Sequence, residues 1–269
     1  MAELSGVRLR LPRFETRTNA RLKLYPFFYV HQVSNSDIFS RGDFETSDGK
    51  PFRPYVVPSK GNAKDPERSH YESRRRAVSA VRDIALCNIF EYMFTWTLDG
   101  SLIDRYDSKE IYKKVRSFLT HASSRKGFKY VLIPEYHKQK EGEDNPAIHM
   151  HGLCCLGSVQ ISPSGLNDKS GRPIFNMVDW NWGFSTCVPL DLNYKRAVNY
   201  VTKYITETEV KIFGKWYLSS RNLLKRPDIV PLDGETFEEF RDEEKLADKR
   251  QIERTVYAGV KIVSEEFHG

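Results

Sequence analysis

Between about residue 65 and residue 207 the apolar positions follow clear helical and strand periods; on either side that regularity fades. Asp65-Pro66-Glu67 sets acidic residues around a proline in a first helical turn. From there to about Asn88, Ala77, Val78, Val81 and Ala85 recur at helical spacing, with arginines on the other faces. Ile89 to Leu98 is rich in aromatic and β-branched residues and predicts a strand, which the turn at Asp99-Gly100 ends. Ser108 reads as the N-cap of an amphipathic helix running to about Ser123 through Ile111, Val115, Phe118 and Leu119. Phe128 to Tyr136 and Ile148 to about Gly157 predict two strands able to pair as an antiparallel hairpin across the polar residues His137 to Asn145. Residues 158 to 175, dense in Ser, Gly, Pro and Asp, predict a loop, and Asn176 to Val188 a further strand. Leu192 to about Glu207 predicts a helix, with Pro189 and Asp191 or Asn193 at its start and Tyr194, Val198, Val201 and Ile205 as its buried stripe.

The flanks are less regular. Apolar bursts at Leu22 to Val33 and Pro54 to Pro58 predict a few short strands or an extended arm, while Thr236 to about Thr255 reads as a charged helix and Val256 to Val263 as a last strand. The order of elements in the middle predicts an α+β domain, an antiparallel sheet with helices on one face. The chain thus divides into an N-terminal extension (1–64), a central domain (65–226) and a C-terminal accessory helix and strand (227–269).

Composition narrows the function classes. The 269 residues are 39% hydrophobic and 29% charged, enough for a core that needs no disulfide or metal for stability. No apolar run reaches membrane-spanning length and no secretory signal opens the chain, so a cytoplasmic protein with no membrane partner is expected. The four cysteines include no C-x-x-C pair, and no G-x-x-x-x-G-K-[ST] occurs, so neither a zinc knuckle nor an ATP site is expected. The net charge of +6 is unevenly spread. Arg74, Arg75 and Arg76 cluster in one helix; Lys195, Arg196 and Lys215 surround another, close in sequence to Trp216. Cations beside aromatics suit single-stranded DNA, whose backbone needs charge and whose bases stack.

Two constellations carry chemistry. In Ile148-His149-Met150-His151-Gly152 the histidines stand two residues apart, so in a strand both imidazoles share one face. Two such nitrogens make a partial metal site, and Glu135, at the end of the preceding strand, is the candidate third ligand. Downstream, Tyr200, Lys203, Tyr204 and Glu207 fall at i, i+3, i+4 and i+7, a polar row beside the apolar stripe of their helix.

Taken in order, Phe94-Thr95-Trp96-Thr97, the Glu135 strand, His149-Met150-His151, Tyr200-Val201-Thr202-Lys203-Tyr204 and Lys215-Trp216-Tyr217-Leu218-Ser219-Ser220 resemble the HUH endonucleases, specifically the rolling-circle replication initiators of small bacterial viruses and plasmids. One departure stands out. Two-tyrosine initiators tend to repeat Tyr-x-x-Lys, whereas here Tyr204 is followed by Glu207, which leaves Tyr200 as the preferred nucleophile. The resemblance implies a ferredoxin-like (RRM-like) sheet, with Glu135, His149 and His151 holding a divalent metal, Mn²⁺ or Mg²⁺. It also implies origin-specific nicking of single-stranded DNA through Tyr200, with Tyr204 and Lys203 beside it, a 5′-phosphotyrosine intermediate, a 3′-hydroxyl primer and rejoining. A host helicase and DNA polymerase are the implied partners. The alternatives are a relaxase or tyrosine transposase of the same superfamily, the former often carrying a third histidine, and a ferredoxin-like nucleic-acid-binding module without catalysis.

Overall fold

The computed structural model describes residues 9–10, 17–37, 39–40, 55–56, 62–137, 146–191, 194–232, 235–257 and 259–268. Along the chain come the two-residue strands β1 (Leu9–Arg10) and β2 (Arg17–Thr18), then β3 (Ala20–Tyr25), β4 (Phe28–Ser34) and the short β5 (Phe39–Ser40) and β6 (Tyr55–Val56). The middle holds α1 (Pro66–Asn88), β7 (Tyr92–Leu98), α2 (Ser108–Lys126), β8 (Lys129–Tyr136), β9 (Ile148–Cys155), β10 (Ile161–Asn167), β11 (Pro173–Met177), β12 (Gly183–Pro189), α3 (Tyr194–Glu207) and β13 (Leu218–Ser219). β14 (Asp228–Leu232), α4 (Phe237–Phe240), α5 (Glu243–Ala247), β15 (Gln251–Tyr257) and β16 (Val260–His268) complete it. The chain is α+β and forms two compact units, Met1–Ser69 with Pro227–Gly269, and His70–Arg226.

The second unit is built on an antiparallel sheet in the order β10-β11-β12-β7-β9-β8-β13. Strand alternation sorts the side chains of β9. Ile148, Met150 and Cys154 join Ile111, Val115, Leu119 and Ala122 of α2 in the main core, with Phe94, Trp96 and Phe128. Trp96 is fully buried and stacks on Trp180 with ring centroids 4.1 Å apart. Burying one such side chain is worth roughly 1.5–3 kcal/mol, and this cluster fixes the sheet against α2.

His149 and His151 point the other way, toward α3, which lies over β8 and β9. The helices are therefore divided between the two faces, unlike the single covered face expected from the sequence. The reason lies in β8: Tyr130 to Pro134 are buried without a break, so both faces of that strand need cover. α1 stands beside α3, where the Tyr194 hydroxyl donates to Ala85 O (2.8 Å) and Arg82 Nη1 donates to Asn199 Oδ1 (3.2 Å).

Gly152 permits the close approach of the Phe94 ring and the β8 backbone to β9. A Cβ there would sit 2.4 Å from Val131 O and 2.6 Å from Phe94 Cε1. α2 starts one residue earlier than Ser108 suggests: Asp107 is the N-cap and accepts from Lys109 N and Glu110 N. Asn193 and Leu192, one expected cap and the expected first residue of the tyrosine helix, lie outside the described residues, as do the insert 138–145, Pro54 and Pro58.

Two expectations are corrected. Residues 158–175 hold the β10–β11 hairpin rather than a loop; both strands are largely exposed, which hides the alternation a sequence reading relies on. The charged helix expected over 236–255 is two short helices followed by β15. Asp242 caps α5 by accepting from Glu244 N and Lys245 N, and Lys249 takes a left-handed φ of 62°. From Gln251 the chain pairs with β16, where Glu253 meets Arg241 Nε at 2.8 Å and Lys261 Nζ at 3.1 Å.

In the first unit β14-β3-β4-β16-β15 form one antiparallel sheet over a small core of Ala20, Val33, Phe237 and Val263. The segments before and after the central domain, separate by sequence, are strands of a common sheet.

Candidate active site

The face of the sheet under α3 carries two cross-strand rows. Glu135 on β8 stands opposite His149 on β9, which is opposite Thr97 on β7, itself opposite Phe184 on β12. In the next row His151 lies between Ile133 and Thr95, and Thr186 follows. Antiparallel pairing thus brings Glu135 and the histidines together across fourteen to sixteen residues of sequence.

His151 is held from both sides. Glu135 Oε2 lies 3.1 Å from its Nε2, and Thr95 Oγ1 lies 3.1 Å from its Nδ1. The ring is also parallel to that of Tyr204, centroids 3.8 Å apart and planes 2° from coincident. His149, two residues before, has its ring 6.5 Å from His151 and 4.6 Å from His137. Burial, aided by the charges of His137 and His151, pushes the His149 imidazole down to about 4, against the raising influence of Glu135. It is neutral at physiological pH, with a lone pair to offer.

Above these groups, one turn of α3 joins the two phenols. The Tyr204 hydroxyl donates to Tyr200 Oη at 2.7 Å, and the rings meet edge to face at 5.2 Å. Tyr200 is 48% exposed, whereas Tyr204 is half-buried against His151. Burial first, then the bond to Tyr200 and the nearby carboxylates, hold the Tyr204 phenol well above its ordinary range. Lys203 lies on the solvent side in an ion pair with Glu207 (Nζ to Oε1, 3.0 Å), and that bond and charge raise its ammonium. The carboxylate that breaks the second Tyr-x-x-Lys thus sits on the lysine of the first.

The donor set suits a borderline divalent cation, two imidazoles and one carboxylate. The 3.1 Å between Glu135 Oε2 and His151 Nε2 is close to the edge of an octahedron with bonds of about 2.1–2.2 Å, roughly 3.0 Å. Among the described residues, no group of three or more His, Cys, Asp or Glu is gathered closely enough to hold an ion. Two ligands are therefore at ligand-to-ligand spacing, and His149, on the same strand face, must turn to join them. Thr95 fits as the outer partner: once Nε2 faces a cation, Nδ1–H donates to its hydroxyl.

The expected DNA-contacting residues divide. Arg76, Arg196 and Lys215 are exposed. Arg74 reaches Thr206 O at 3.4 Å, near the end of α3, and Arg75 lies 3.6 Å from Glu72 and over the Tyr71 ring. Burial and the neighbouring Arg82 lower the Lys195 ammonium. Trp216 is buried, its Nε1 donating to Ser73 Oγ at 3.0 Å and its ring edge-on to His70, so it is a packing residue of α1 rather than an open stacking surface. Three residues gain a place that sequence spacing did not give them: Thr95 at His151, His137 at His149, and Phe184. The last is 67% exposed on the His149 row, about 10 Å away at two strand spacings.

Residues 91–209 match the family of the replication-associated protein ORF2. That family is one of rolling-circle replication initiators, and the matched stretch contains Thr95, Glu135, both histidines and the tyrosine helix. The match agrees with the resemblance carried by the motifs and makes this a replication-associated chain, with DNA as its medium. No curated protein and no solved structure matches it. No helix of the described residues is long and apolar enough to cross a membrane.

Proposed function

We propose that this protein nicks and rejoins single-stranded DNA at a replication origin, with Tyr200 as the nucleophile. The observation that carries the reading is the exposed Tyr200 hydroxyl, accepting a hydrogen bond from Tyr204, over the Glu135–His151 pair. Tyr200 Oη attacks the scissile phosphorus, the P–O3′ bond breaks, and the 3′-oxygen leaves as a hydroxyl after taking up a proton. The phenolic proton of Tyr200 departs to solvent. An unassisted phenol is a weak nucleophile at neutral pH, so stabilisation of the developing phenolate matters. Tyr204, kept protonated by its burial, supplies one donor directly to that oxygen. The product keeps a phosphodiester bond as a 5′-phosphotyrosine, so rejoining needs no nucleotide. The free 3′-hydroxyl suits extension by a host polymerase behind a host helicase.

Glu135, His151 and His149 would hold the divalent ion, Mn²⁺ or Mg²⁺, which when bound would neutralise charge on the scissile phosphate. Thr95 would keep the His151 ring in its ligating orientation, and Lys203, drawn partly away by Glu207, would approach the adjacent phosphate. Phe184, exposed on the same face, would stack a base one or two nucleotides from the break. His137 favours a second reading, a relaxase-type enzyme of the same superfamily, because its ring adjoins His149 where a third imidazole would serve.

The test is a labelled single-stranded oligonucleotide incubated with protein and Mn²⁺. A protein–DNA adduct that survives denaturation supports the proposal; cleavage without adduct points to a hydrolase using water, and binding without cleavage to a non-catalytic module. Loss of the adduct on His137→Ala would favour the relaxase-type reading over the initiator.

A further inference from the structure

The chain that leaves α3 rounds the β13 edge of the sheet. Trp216 packs toward α1 through Ser73 and His70, whereas Phe213 stacks on Tyr112 of α2 at 5.3 Å and Leu218 joins the core on the α2 side. Between α2 and this segment opens a cleft of about 970 Å³, on the sheet face opposite the histidines. Arg116 of α2 lines one wall, and Lys211, Lys215 and Arg221 line the other; no aspartate or glutamate contributes to it. None of these four is held in an ion pair among the described residues, although Lys211 also sits over the Trp216 ring at 5.5 Å. Ser123, also in the lining, has a buried Oγ without a hydrogen-bond partner.

A cleft with cations on facing walls and no carboxylate repels anionic protein surfaces less than it attracts a polyanion. One phosphate would leave most of this volume empty. A flexible chain of phosphates would meet both walls in turn, its sugars and bases against Tyr217 and the serine hydroxyls. Lys211 follows Glu207, the last residue of α3, by only four positions. We propose that this cleft is a second site for single-stranded DNA, gripping the backbone of the strand away from the scissile phosphate after it passes around the β13 edge. The inference rests on the DNA-nicking reading for the identity of its anion, and extends the DNA path to a face that the tyrosines do not reach.

The experiment measures non-covalent binding of 5′-fluorescein-labelled oligothymidylate, 30 nucleotides long, by fluorescence anisotropy in EDTA over a salt series. It compares the unaltered chain with Arg116→Ala/Arg221→Ala and with Arg116→Lys/Arg221→Lys. Each lost phosphate contact on a single strand removes about 0.7 from the slope of log affinity against log salt, so the alanine pair lowers it by about 1.4. The lysine pair keeps the slope. An unchanged slope in the alanine pair overturns the inference; so does a lysine pair as weak as the alanine pair, which would make the arginines packing residues. Equal losses for a duplex of the same length overturn the single-strand assignment. Adduct formation in Mn²⁺ is scored separately, so the cleft can stand if the nicking reading fails, and the reverse.

Discussion

Tyr204→Phe removes one oxygen from the site and nothing else. The ring that lies parallel to His151 at 3.8 Å remains, as does the half-buried environment under α3. What goes is the hydroxyl that donates to Tyr200 Oη at 2.7 Å. Tyr200 Oη becomes a phenolate-like oxygen as it attacks, and a hydrogen bond to a charged group is worth about 1.5–3 kcal/mol. At about 1.4 kcal/mol per factor of ten, adduct formation by Tyr204→Phe should be slower by roughly 10- to 150-fold, yet still reach completion. Tyr200→Phe should abolish it. The assay is single-turnover formation of a denaturation-resistant adduct with a 3′-labelled oligonucleotide in Mn²⁺, followed on a denaturing gel. Tyr204→Phe at the unaltered rate would show that the donated bond contributes nothing. Complete loss in Tyr204→Phe with an active Tyr200→Phe would reverse the two roles.

Thr95→Val deletes the bond to His151 Nδ1 while keeping the shape of the strand. Mn²⁺ affinity measured by calorimetry should fall by about 10- to 100-fold, and an unchanged affinity would remove Thr95 from the site. Phe184→Ala should weaken oligonucleotide binding by about 1–3 kcal/mol with little change in thermal stability, because the ring is 67% exposed; equal binding would leave the ring without a base. Gly152→Ala should destabilise the fold by about 1–3 kcal/mol in denaturant unfolding, since its Cβ would lie 2.4 Å from Val131 O, which is backbone and cannot easily yield. A variant as stable as the parent would mean that β8 and Phe94 move apart freely.

How much of this could be read without coordinates depends on whether the deciding contacts are local. α1, β7, α2, β8, β9 and α3 appear within a few residues of where the apolar period puts them, because each buries one continuous stripe or face. The Tyr200–Tyr204 contact is an i, i+4 pair, and Glu135 opposite His149 follows from a hairpin, so both were legible. The partners of His151 were less so. Thr95 and Phe184 reach the site only through the strand order β12-β7-β9, which no local pattern dictates. β15 was hidden by its composition: Glu253 and Arg254 are good helix formers, but Gln251 is buried against Glu265 at 3.0 Å and Glu253 is satisfied by Arg241 and Lys261 from other elements. β14 and β16 return to β3 and β4 after some two hundred residues, a pairing set by tertiary packing alone.

The central claim concerns one oxygen atom, and one measurement addresses it most directly. The adduct formed with an oligonucleotide in Mn²⁺ is digested with protease and nuclease, and the nucleotide-bearing peptide is sequenced by mass spectrometry. The account predicts a phosphate ester on Tyr200, with Tyr204 unmodified in the same peptide. A nucleotide on Tyr204 alone, or cleaved DNA with no modified tyrosine, would contradict it.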